Sequence, residues 1–542
     1  MKKQGNGYPE WELGRIEAMG IYLNPKNENF TSILKADIYV DKTMMLKVLN
    51  GFIDKGNKYI CVSRPRHFGK TIAQEMIAAY YSKGCDSHEL FEKLKISKAE
   101  GYEEKLNKYN VIKIDLNSEY QNSRNKDKML TSLEKWIADE LRKEFPDCGI
   151  REDDSLANNL IRIYESTSET FIILIDEYDV LVREQVPKAL FEEFLSFLNG
   201  LFKSATLRPA ISLAYLTGIL PIVRDKIQSK LNNFEEYTIL DAGELAEFVG
   251  FTPNEVEALC REWGMDYAEC RRWYDGYTQN GYEIYNPESV VKSLRNKKYS
   301  NYWGKTSSYR VINDRIEANF KGTKDAVIRM LAGENVPVNV TQYLNTMDSF
   351  ETLDDALTYL IHIGYLAYNE EDESCRIPNM EISREWANAV ATMSDYEATD
   401  EIIKSSKELL AATLKGDEEA VAKALDESHI HVTSNRSYNN EDALQSAIYL
   451  AYIYAQNKYT VVKEMTAGKG LADVVFIPFV PDLPAMIVEL KHNKSAESAL
   501  DQIKDKKYFD SLKDYKGGLL FVGVNYDEKD KTHECRIERF EK

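Results

Sequence analysis

The fold is decided by the stretch Tyr59-Ile60-Cys61-Val62-Ser63-Arg64-Pro65-Arg66-His67-Phe68-Gly69-Lys70-Thr71. A short apolar run leads into a polar turn, and Gly-Lys-Thr then opens a segment whose apolar residues share one helical face. The backbone N–H groups of such a turn and of the helix N-terminus point at an anion. We therefore predict a phosphate-binding loop in which Lys70 reaches the β- and γ-phosphates of a nucleotide and the Thr71 hydroxyl binds Mg²⁺.

The loop departs from the usual pattern G-x-x-x-x-G-K-[ST] at its first glycine, which is replaced by Arg64. The predicted nucleotide-binding residues are Arg64, Pro65, Arg66, His67, Phe68, Gly69, Lys70 and Thr71. Because Gly-Lys-Thr is a short match, a plain helix N-terminus with a surface lysine stays open as the alternative. It also stays open whether Arg64 or Arg66 touches the nucleotide or pins the loop to neighbouring acids.

A second stretch is an apolar run that ends in acids, Phe171-Ile172-Ile173-Leu174-Ile175-Asp176-Glu177-Tyr178-Asp179. Its consecutive apolar residues suit a strand that is buried on both faces of a parallel sheet. Asp176 stands at the strand tip, where a P-loop ATPase places its Mg²⁺-coordinating acid. Glu177 follows, where AAA-type enzymes place the base that orients the attacking water. The alternative is a core strand followed by solvated acids.

Further strands and helices alternate around these two stretches. Residues 111–116 and 211–218 read as strands, whereas residues 127–144 and 190–201 carry helical spacing. This alternation predicts a parallel sheet flanked by helices. Thr217, at the end of the strand expected beside the acid strand, is a candidate γ-phosphate sensor. A strand-terminal Thr-Gly turn without function is the alternative.

Composition and charge exclude several classes of protein. The chain has 542 residues, a hydrophobic fraction of 43% and a formal net charge of −19. No run of roughly 18 apolar residues occurs, which predicts no membrane-spanning helix, and the N-terminus lacks the apolar segment of a secretory signal. The scattered cysteines fit neither a disulfide framework nor a zinc site. We therefore expect a cytoplasmic protein with no membrane partner and no large nucleic-acid footprint.

The middle of the chain, about residues 240–380, reads as α-helical with aromatic clusters. The clusters are Trp273-Tyr274-Asp275-Gly276-Tyr277, Tyr285-Asn286-Pro287 and Tyr302-Trp303. Aromatic packing between small helices is the favoured explanation, and a stacking surface is the alternative. Residues 382–435 are charge-rich and read as connecting helices.

The C-terminal part of the chain predicts a second site, within an αβββαβ order of elements. Asp473 stands on one strand, and Glu489 and Lys491 stand near the end of the next. Because Glu489 and Lys491 are two positions apart, both point to one face of their strand. We predict that Asp473 and Glu489 share Mg²⁺ or Mn²⁺ through oxygen ligands. Lys491 would activate the attacking water or stabilise charge on a phosphate.

Two neighbouring elements add residues to this predicted site. Glu441, on the preceding helix, could contribute a further acid, and Gln502, on the following helix, would face the same cleft. Nearby lysines and His492 supply the local positive charge that a phosphodiester-binding cleft needs. The alternative is a surface Glu-x-Lys on an amphipathic strand, with the lysines on a solvated helix face.

These motifs together resemble a bacterial family of AAA-ATPase-like proteins that join a divergent P-loop ATPase to a C-terminal nuclease-like domain of the PD-(D/E)XK class. The resemblance covers nearly the whole chain. Besides the stretches quoted above, it is carried by Tyr39-Val40-Asp41-Lys42-Thr43, Leu216-Thr217-Gly218-Ile219, Gly364-Tyr365-Leu366, Ile377-Pro378-Asn379, Asn440-Glu441, Gly470-Leu471-Ala472-Asp473, Glu489-Leu490-Lys491 and Gln502-Ile503.

The chain departs from the family pattern at a few positions. The family itself lacks the first glycine of the loop, so the resemblance makes Arg64 an expected residue. His67 replaces an arginine, and Thr71 replaces a serine with the same hydroxyl group. Leu471 stands where the family often has an arginine, which removes a basic contact and weakens the inference of a nuclease.

The residues and the resemblance together predict an α/β protein in four parts. These are an AAA-like P-loop NTPase domain with a parallel sheet at 20–240, a helical middle region at 241–381, a helical connector at 382–435 and an αβββαβ PD-(D/E)XK nuclease-like domain at 436–542. The expected function is Mg²⁺-dependent ATP hydrolysis coupled to metal-dependent cleavage of nucleic-acid phosphodiesters. DNA and RNA are candidate partners, and a homo-oligomer is a candidate assembly.

Two other functions stay open. In one, the ATPase is a nucleotide switch whose C-terminal domain binds nucleic acid or protein without cleaving it. In the other, the chain is a structural or interaction protein with a degenerate P-loop.

Overall fold

The computed structural model of the protein describes residues 20–184, 186–222, 231–304, 322–331, 333–342, 352–392, 397–432, 441–467, 470–478, 483–512, 515 and 517–540. These residues form two compact units. Unit 1 comprises the described residues within Met1–Ser300 and Val338–Pro378, and unit 2 those within Asn301–Pro337 and Asn379–Lys542.

The elements are numbered in chain order. The strands are β1 (Tyr59–Ser63), β2 (Asn110–Asp115), β3 (Phe171–Asp176), β4 (Ile211–Gly218), β5 (Glu235–Tyr237), β6 (Tyr277–Gln279), β7 (Tyr282–Ile284), β8 (Val336–Pro337), β9 (Ala367–Asn369), β10 (Ser374–Arg376), β11 (Tyr459–Ala467), β12 (Gly470–Pro478), β13 (Ala485–His492), β14 (Leu519–Asp527) and β15 (Thr532–Phe540).

The α-helices are α1 (Glu28–Leu34), α2 (Met45–Asn50), α3 (Lys70–Tyr81), α4 (His88–Phe91), α5 (Tyr102–Lys105), α6 (Leu116–Asn122), α7 (Met129–Glu144), α8 (Leu156–Thr167), α9 (Val180–Arg183), α10 (Lys188–Phe202), α11 (Pro253–Trp263), α12 (Tyr267–Tyr274), α13 (Pro287–Asn296), α14 (Thr323–Leu331), α15 (Leu353–His362), α16 (Met380–Thr392), α17 (Glu397–Lys415), α18 (Glu418–Val432), α19 (Glu441–Ala451) and α20 (Ala496–Asp505). Short 3₁₀ helices lie at Lys95–Lys98, Lys126–Lys128, Arg208–Ala210, Gly243–Leu245, Val340–Gln342, Ile453–Asn457 and Tyr508–Leu512.

Unit 1 is built on a five-stranded sheet in the order β2-β3-β4-β1-β5. Every neighbouring pair in this sheet is parallel. All residues of β1, β3 and β4 are buried, as expected for central strands covered by helices on both faces. Since β4 lies between β1 and β3, the carboxyl ends of these three strands meet at one edge of the sheet. The predicted parallel sheet is confirmed.

Helices cover this sheet because each buries one apolar stripe against it. The core includes Leu133 and Ile137 of α7, Leu160 of α8 and Phe194 of α10, and they share one cluster with Ile173 of β3. The segment that precedes α1 runs along the outer strand, where the amide of Asn24 donates to the carbonyl of Val111 over 2.7 Å. The predicted alternation of strands and helices is therefore observed.

The aromatic side chains of the middle region are buried, so their predicted packing role is confirmed. Trp273, Tyr274, Tyr277 and Tyr285 are each no more than 3% exposed. Tyr277 meets Phe68 edge-on, with ring centroids 5.4 Å apart. The region also contains the hairpins β6–β7 and β9–β10, which the helical prediction missed.

Unit 2 is built on a five-stranded sheet in the order β11-β12-β13-β14-β15. The pair β13–β14 is parallel and the other pairs are antiparallel. Helix α20 covers one face of this sheet, and α19 covers the other. The predicted αβββαβ order is confirmed, and β15 extends it by one strand that the sequence pattern did not reveal.

The helices that were predicted as a connector share the core of unit 2. Leu409 of α17 and Val421 and Leu425 of α18 are buried in one cluster with Phe476 of β12 and Val488 of β13. These helices therefore bury apolar surface on the sheet itself. The four-part division of the chain stays a prediction.

Candidate functional sites

The loop between β1 and α3 has the backbone shape of an anion-binding turn. His67 has a φ of 69° and Gly69 a φ of 90°, and α3 begins at Lys70. Left-handed residues that alternate with right-handed ones turn successive N–H groups toward one concave side, which favours an anion. A Cβ at Gly69 would meet no atom within 4 Å, so its positive φ, and not crowding, is the reason for a glycine there.

Lys70 is buried and lies against its own loop. Its Nζ donates to the carbonyl oxygens of Arg64 over 2.9 Å and of Pro65 over 2.8 Å. Burial lowers the pKa of Lys70 to about 8, although the carboxylates of Asp176, Asp179 and Glu177 oppose this shift. Within the described residues, no carboxylate lies within ion-pair distance of Nζ. This cation is therefore available to an anionic ligand.

Asp176 joins the tips of the sheet to the start of α3. Its Oδ2 accepts from the Thr71 hydroxyl over 2.8 Å, and its Oδ1 accepts from the Thr217 hydroxyl. Gln74 of α3 donates to the Thr217 oxygen over 3.1 Å. Because the Thr71 hydrogen points to Asp176, the lone pairs of Thr71 remain free for a hard cation such as Mg²⁺.

Glu177 is held in a left-handed conformation and in an ion pair. Its φ is 49°, and its Oε2 lies 2.5 Å from Nη2 of Arg183. Arg183 also reaches Oδ2 of Asp179 over 3.1 Å, and Asp179 is completely buried. Asp179 accepts the backbone N–H groups of Ile219 and Leu220 as well. Arg183 thus fixes the position of the Glu177 carboxylate.

The remaining loop residues have different surroundings. Arg64 is completely buried, and its Nη1 donates to the carbonyls of Ser63 over 2.8 Å and Tyr237 over 2.7 Å. Burial lowers the pKa of Arg64 to about 10. His67 pairs with Glu288. Arg66 is half-buried and has no hydrogen-bond or ion-pair partner among the described residues. Both arginines thus keep guanidinium nitrogens without a partner among the described residues, Arg66 at all three and Arg64 at Nε and Nη2.

The C-terminal site lies on adjacent strands of unit 2. Val474 pairs with Val488. The residue before Val474, Asp473, accepts at Oδ2 from the amide of Leu490, two residues after Val488, over 2.7 Å. Glu489 is 1% exposed. Its Oε1 accepts from Lys491 Nζ over 3.0 Å and from the Gln502 side chain. Asp473, Glu489, Lys491 and Gln502 are therefore brought together.

Glu489 carries the features expected of a cation ligand. Its Oε2 is buried without a hydrogen-bond partner among the described residues. Burial, reinforced by Asp473, raises the pKa of Glu489 to about 7. A buried carboxylate oxygen without a donor, beside a second carboxylate, suits a hard divalent cation. Within the described residues, no group of three or more His, Cys, Asp or Glu side chains forms a complete metal centre.

The flanking helices support this cluster. Glu441 begins α19, but its side chain lies outside the described residues. One turn later, Gln445 donates to the carbonyl oxygen of Asp473 over 2.9 Å. On the other side, the Gln502 amide nitrogen lies 3.1 Å from the Tyr508 hydroxyl. Lys504 pairs with Glu538 over 2.6 Å, so its charge is neutralised.

Two family models match the chain. Residues 27–228 match the family described as "Predicted AAA-ATPase". Residues 439–535 match the family described as "PD-(D/E)XK nuclease superfamily". The chain joins an AAA-ATPase-like domain to a PD-(D/E)XK nuclease superfamily domain.

Two further comparisons extend beyond single domains. The "Uncharacterized protein in vnfD 5'region" of Azotobacter chroococcum mcd 1 is 22% identical over 529 residues, which is 93% of this chain and 96% of that protein. The solved ORC2 protein of Aeropyrum pernix, in ADPNP-ADP complexes, covers 65% of this chain and 96% of its own at 10% identity and a TM-score of 0.29. Within the part of the chain that the structure describes, no helix combines the length and apolar character needed to cross a bilayer.

The sequence motifs located both clusters but not their supporting residues. In the AAA-ATPase-like domain, Arg183 and Gln74 had no predicted role, although Asp179 and Arg183 have the i, i+4 spacing of a helical ion pair. In the PD-(D/E)XK domain, Gln445 was missed. It stands one helical turn after Glu441, and that spacing could have placed it on the same face.

Proposed function

We propose that the AAA-ATPase-like domain binds and hydrolyses ATP with Mg²⁺, and that the PD-(D/E)XK domain is a metal-dependent nuclease controlled by that cycle. The observation that carries the proposal is the buried Glu489 beside Asp473 and Lys491, with one carboxylate oxygen unpartnered. Such an oxygen is costly to bury unless a ligand or cation completes it.

In the ATPase site, each residue has a role that follows from its contacts. Lys70 exchanges its bonds with the loop carbonyls for bonds with phosphate oxygens. Thr71 and Asp176 hold Mg²⁺, which when bound neutralises phosphate charge. Thr217 senses the terminal phosphate by donating to it the hydroxyl hydrogen that it now donates to Asp176. Glu177 orients the attacking water once Arg183 releases it.

In the nuclease site, the two acids hold Mg²⁺ or Mn²⁺, which when bound activates water and stabilises charge on the phosphate. Gln502 fixes the Glu489 carboxylate through its amide nitrogen. Lys491 keeps a positive charge beside the acids, where it stabilises charge that develops on a phosphodiester. Glu441 would add a further acid.

The nuclease activity is tested with DNA and RNA substrates in Mg²⁺ or Mn²⁺. We expect cleavage by the wild type and its loss in Glu489→Ala and Lys491→Ala. Lys529→Ala is the matched control, because Lys529 is an exposed lysine of the same domain that lies in the turn between β14 and β15. Equal cleavage by all four proteins, or none by any, would refute the nuclease proposal.

The coupling is tested by comparing cleavage without nucleotide, with ATP and with a non-hydrolysable ATP analogue. We expect ATP to change the cleavage rate of the wild type and to have no effect on Lys70→Ala. If the cleavage rate of both proteins is the same with and without nucleotide, ATP does not control the nuclease and the coupling is refuted.

A cytoplasmic location and a homo-oligomer belong to the same proposal. Fractionation of cells and light scattering with and without nucleotide test them.

The nucleotide-switch alternative is favoured by a specific observation. Arg183 holds the Glu177 carboxylate in an ion pair, and Lys491 neutralises Glu489, so both predicted reactive acids already have cationic partners. A binding module would retain these pairs. In that case the protein would bind ATP and nucleic acid or protein, but it would release neither phosphate nor cleaved strands.

A further inference from the structure

A cavity of about 410 Å³ lies in unit 1, and none of its lining residues belongs to the nucleotide site. Its wall is formed by the end of α12, the β6–β7 hairpin and the turn after β10. Three arginines line it, Arg271, Arg272 and Arg376, and we call it the arginine pocket. Its volume falls within the range of roughly 300–1,000 Å³ that is usual for small-molecule sites.

The two acids of the pocket wall are both bonded to one arginine. Arg271 Nε lies 3.1 Å from Asp275 Oδ2, and Arg271 Nη2 lies 2.9 Å from Glu283 Oε1. Together these ion pairs use two of the five N–H donors of the Arg271 guanidinium. Both carboxylates of the lining therefore lie within ion-pair distance of Arg271.

Arg376, unlike Arg271, forms no ion pair with a carboxylate of the described residues. Its Nη2 lies 3.2 Å from the carbonyl oxygen of Gly276, and its Nη1 lies 3.3 Å from that of Pro378. Both contacts are long and neutral, and no carboxylate among the described residues lies within ion-pair distance of it. Arg272 lies 3.3 Å from Glu269, which also accepts from the Trp273 ring nitrogen. The lining thus carries more positive than negative charge, in a chain whose net charge is −19.

The backbone is shaped to bring Arg376 to this place. Gly276 has a φ of 107°, and a Cβ there would lie 2.0 Å from the carbonyl oxygen of Pro378. Only glycine permits the end of α12 to approach the turn after β10 so closely. The Asp-Gly and Ile-Pro motifs of the sequence therefore meet at the pocket and hold its arginines together.

We propose that the arginine pocket binds a small molecule that carries a phosphate group. A guanidinium presents parallel N–H donors that match two oxygens of a phosphate, and the weak carbonyl contacts of Arg376 can be exchanged for such bonds. The proposal is independent of the ATPase and nuclease activities, since its residues belong to neither site.

The test uses the full-length chain with Lys70→Ala as background, so that the phosphate loop does not bind the probe. The probe is inorganic pyrophosphate, titrated calorimetrically in the presence of a metal chelator. Thr278 lines the pocket, is exposed and has no described side-chain contact, so charges placed there leave the fold intact. We expect Thr278→Glu to weaken binding and Thr278→Lys to strengthen it, each by roughly three- to tenfold, the effect of one charge at this range in water.

Further variants test whether binding requires the guanidinium of Arg376 or only a positive charge at that position. Arg376→Ala is expected to remove pyrophosphate binding, and Arg376→Lys to retain part of it. Lysine keeps the positive charge but lacks the parallel N–H donors of a guanidinium. Arg261→Ala is the matched control, because Arg261 is 77% exposed and pairs only with Glu257 among the described residues. Equal affinity of Thr278→Glu and Thr278→Lys would overturn the proposal. Arg376-dependent binding of a single-stranded oligonucleotide without any binding of pyrophosphate would overturn it as well.

Discussion

Metal binding at the nuclease site is expected to depend on pH through Glu489. Burial and the nearby Asp473 raise the pKa of this carboxyl to about 7 in the metal-free protein. Below that pH the carboxyl is protonated and cannot bind a cation, and above it the charged form is available. Metal affinity should therefore be retained at pH 8 and should fall as the pH drops through 7, and the number of protons displaced for each ion bound should rise toward one as the pH falls below 7.

The size of the effect follows from that single proton. A ligand with a pKa of about 7 is about nine-tenths ionised at pH 8 and about one-tenth ionised at pH 6. The apparent Kd should rise by about tenfold across this range, which corresponds to about 1.4 kcal/mol. An ordinary surface glutamate, with a pKa of about 4.3, would change the affinity by only a few per cent between the same two pH values.

The assay follows free Mn²⁺ by electron paramagnetic resonance during titration of the chain carrying Thr71→Ala and Asp176→Ala, which removes the proposed metal ligands of the ATPase site and so reports the C-terminal site. Glu489→Gln is the control, since it keeps the side-chain shape and the acceptor for Lys491 but cannot titrate. The residual Mn²⁺ affinity of the Glu489→Gln protein should lack the tenfold change between pH 6 and pH 8 that is expected for the unmutated site. A Kd for the unmutated site that is constant from pH 6 to pH 8 would refute the assignment of Glu489 as a ligand that is protonated near neutrality.

Three further outcomes follow from the contacts of unit 1. Lys70→Ala should lower ATP hydrolysis, measured as phosphate release, by at least about 100-fold, because the charge beside the phosphates is lost. Arg183→Ala should raise basal hydrolysis by roughly two- to fivefold, since it frees Glu177 from an ion pair worth about 0.5–1 kcal/mol; an unchanged or lower rate would contradict the restraint. Gly276→Ala should destabilise unit 1 by about 3 kcal/mol or more in chemical denaturation, whereas Gly281→Ala, with positive φ but open space, should cost only about 1 kcal/mol.

The fold could be predicted wherever one segment carries its own pattern. β3 is a run of apolar residues that any parallel sheet would bury, and the prediction matched it. β15 was missed because charged residues interrupt its apolar pattern. It forms a strand because it pairs with β14 along its whole length. The β6–β7 hairpin was missed although Asn280-Gly281, both with positive φ, is the usual two-residue turn signal. That signal was overlooked in a region interpreted as helical.

For the candidate sites as well, some residues could be predicted from the sequence and others could not. Lys70, Asp176 and Glu489 stand in short motifs whose chemistry is local, so sequence alone can nominate them. Their partners come from other segments. Gln445 reaches Asp473 from a separate helix, and nothing in either segment indicates which carbonyl oxygen a glutamine will meet. The raised pKa of Glu489 likewise depends on burial between elements, which only the folded chain determines.

Arg64 shows how the loop can do without its first glycine. In an ordinary phosphate loop that glycine lets the backbone turn tightly beside the phosphates. Here the turn is made later, by the positive φ of His67 and Gly69, and the amide of Arg64 donates to the carbonyl oxygen of Gly218, the last residue of β4, over 3.1 Å. Its guanidinium bonds the carbonyl oxygens of Ser63 and Tyr237 and so ties the end of β1 to β5. The carbonyls meet only Nη1, whereas Nε and Nη2 of Arg64 are buried without a hydrogen-bond partner among the described residues. Arg64 therefore ties the entry of the loop to β5, and we expect Lys70 and the N–H groups that follow it to contact phosphate.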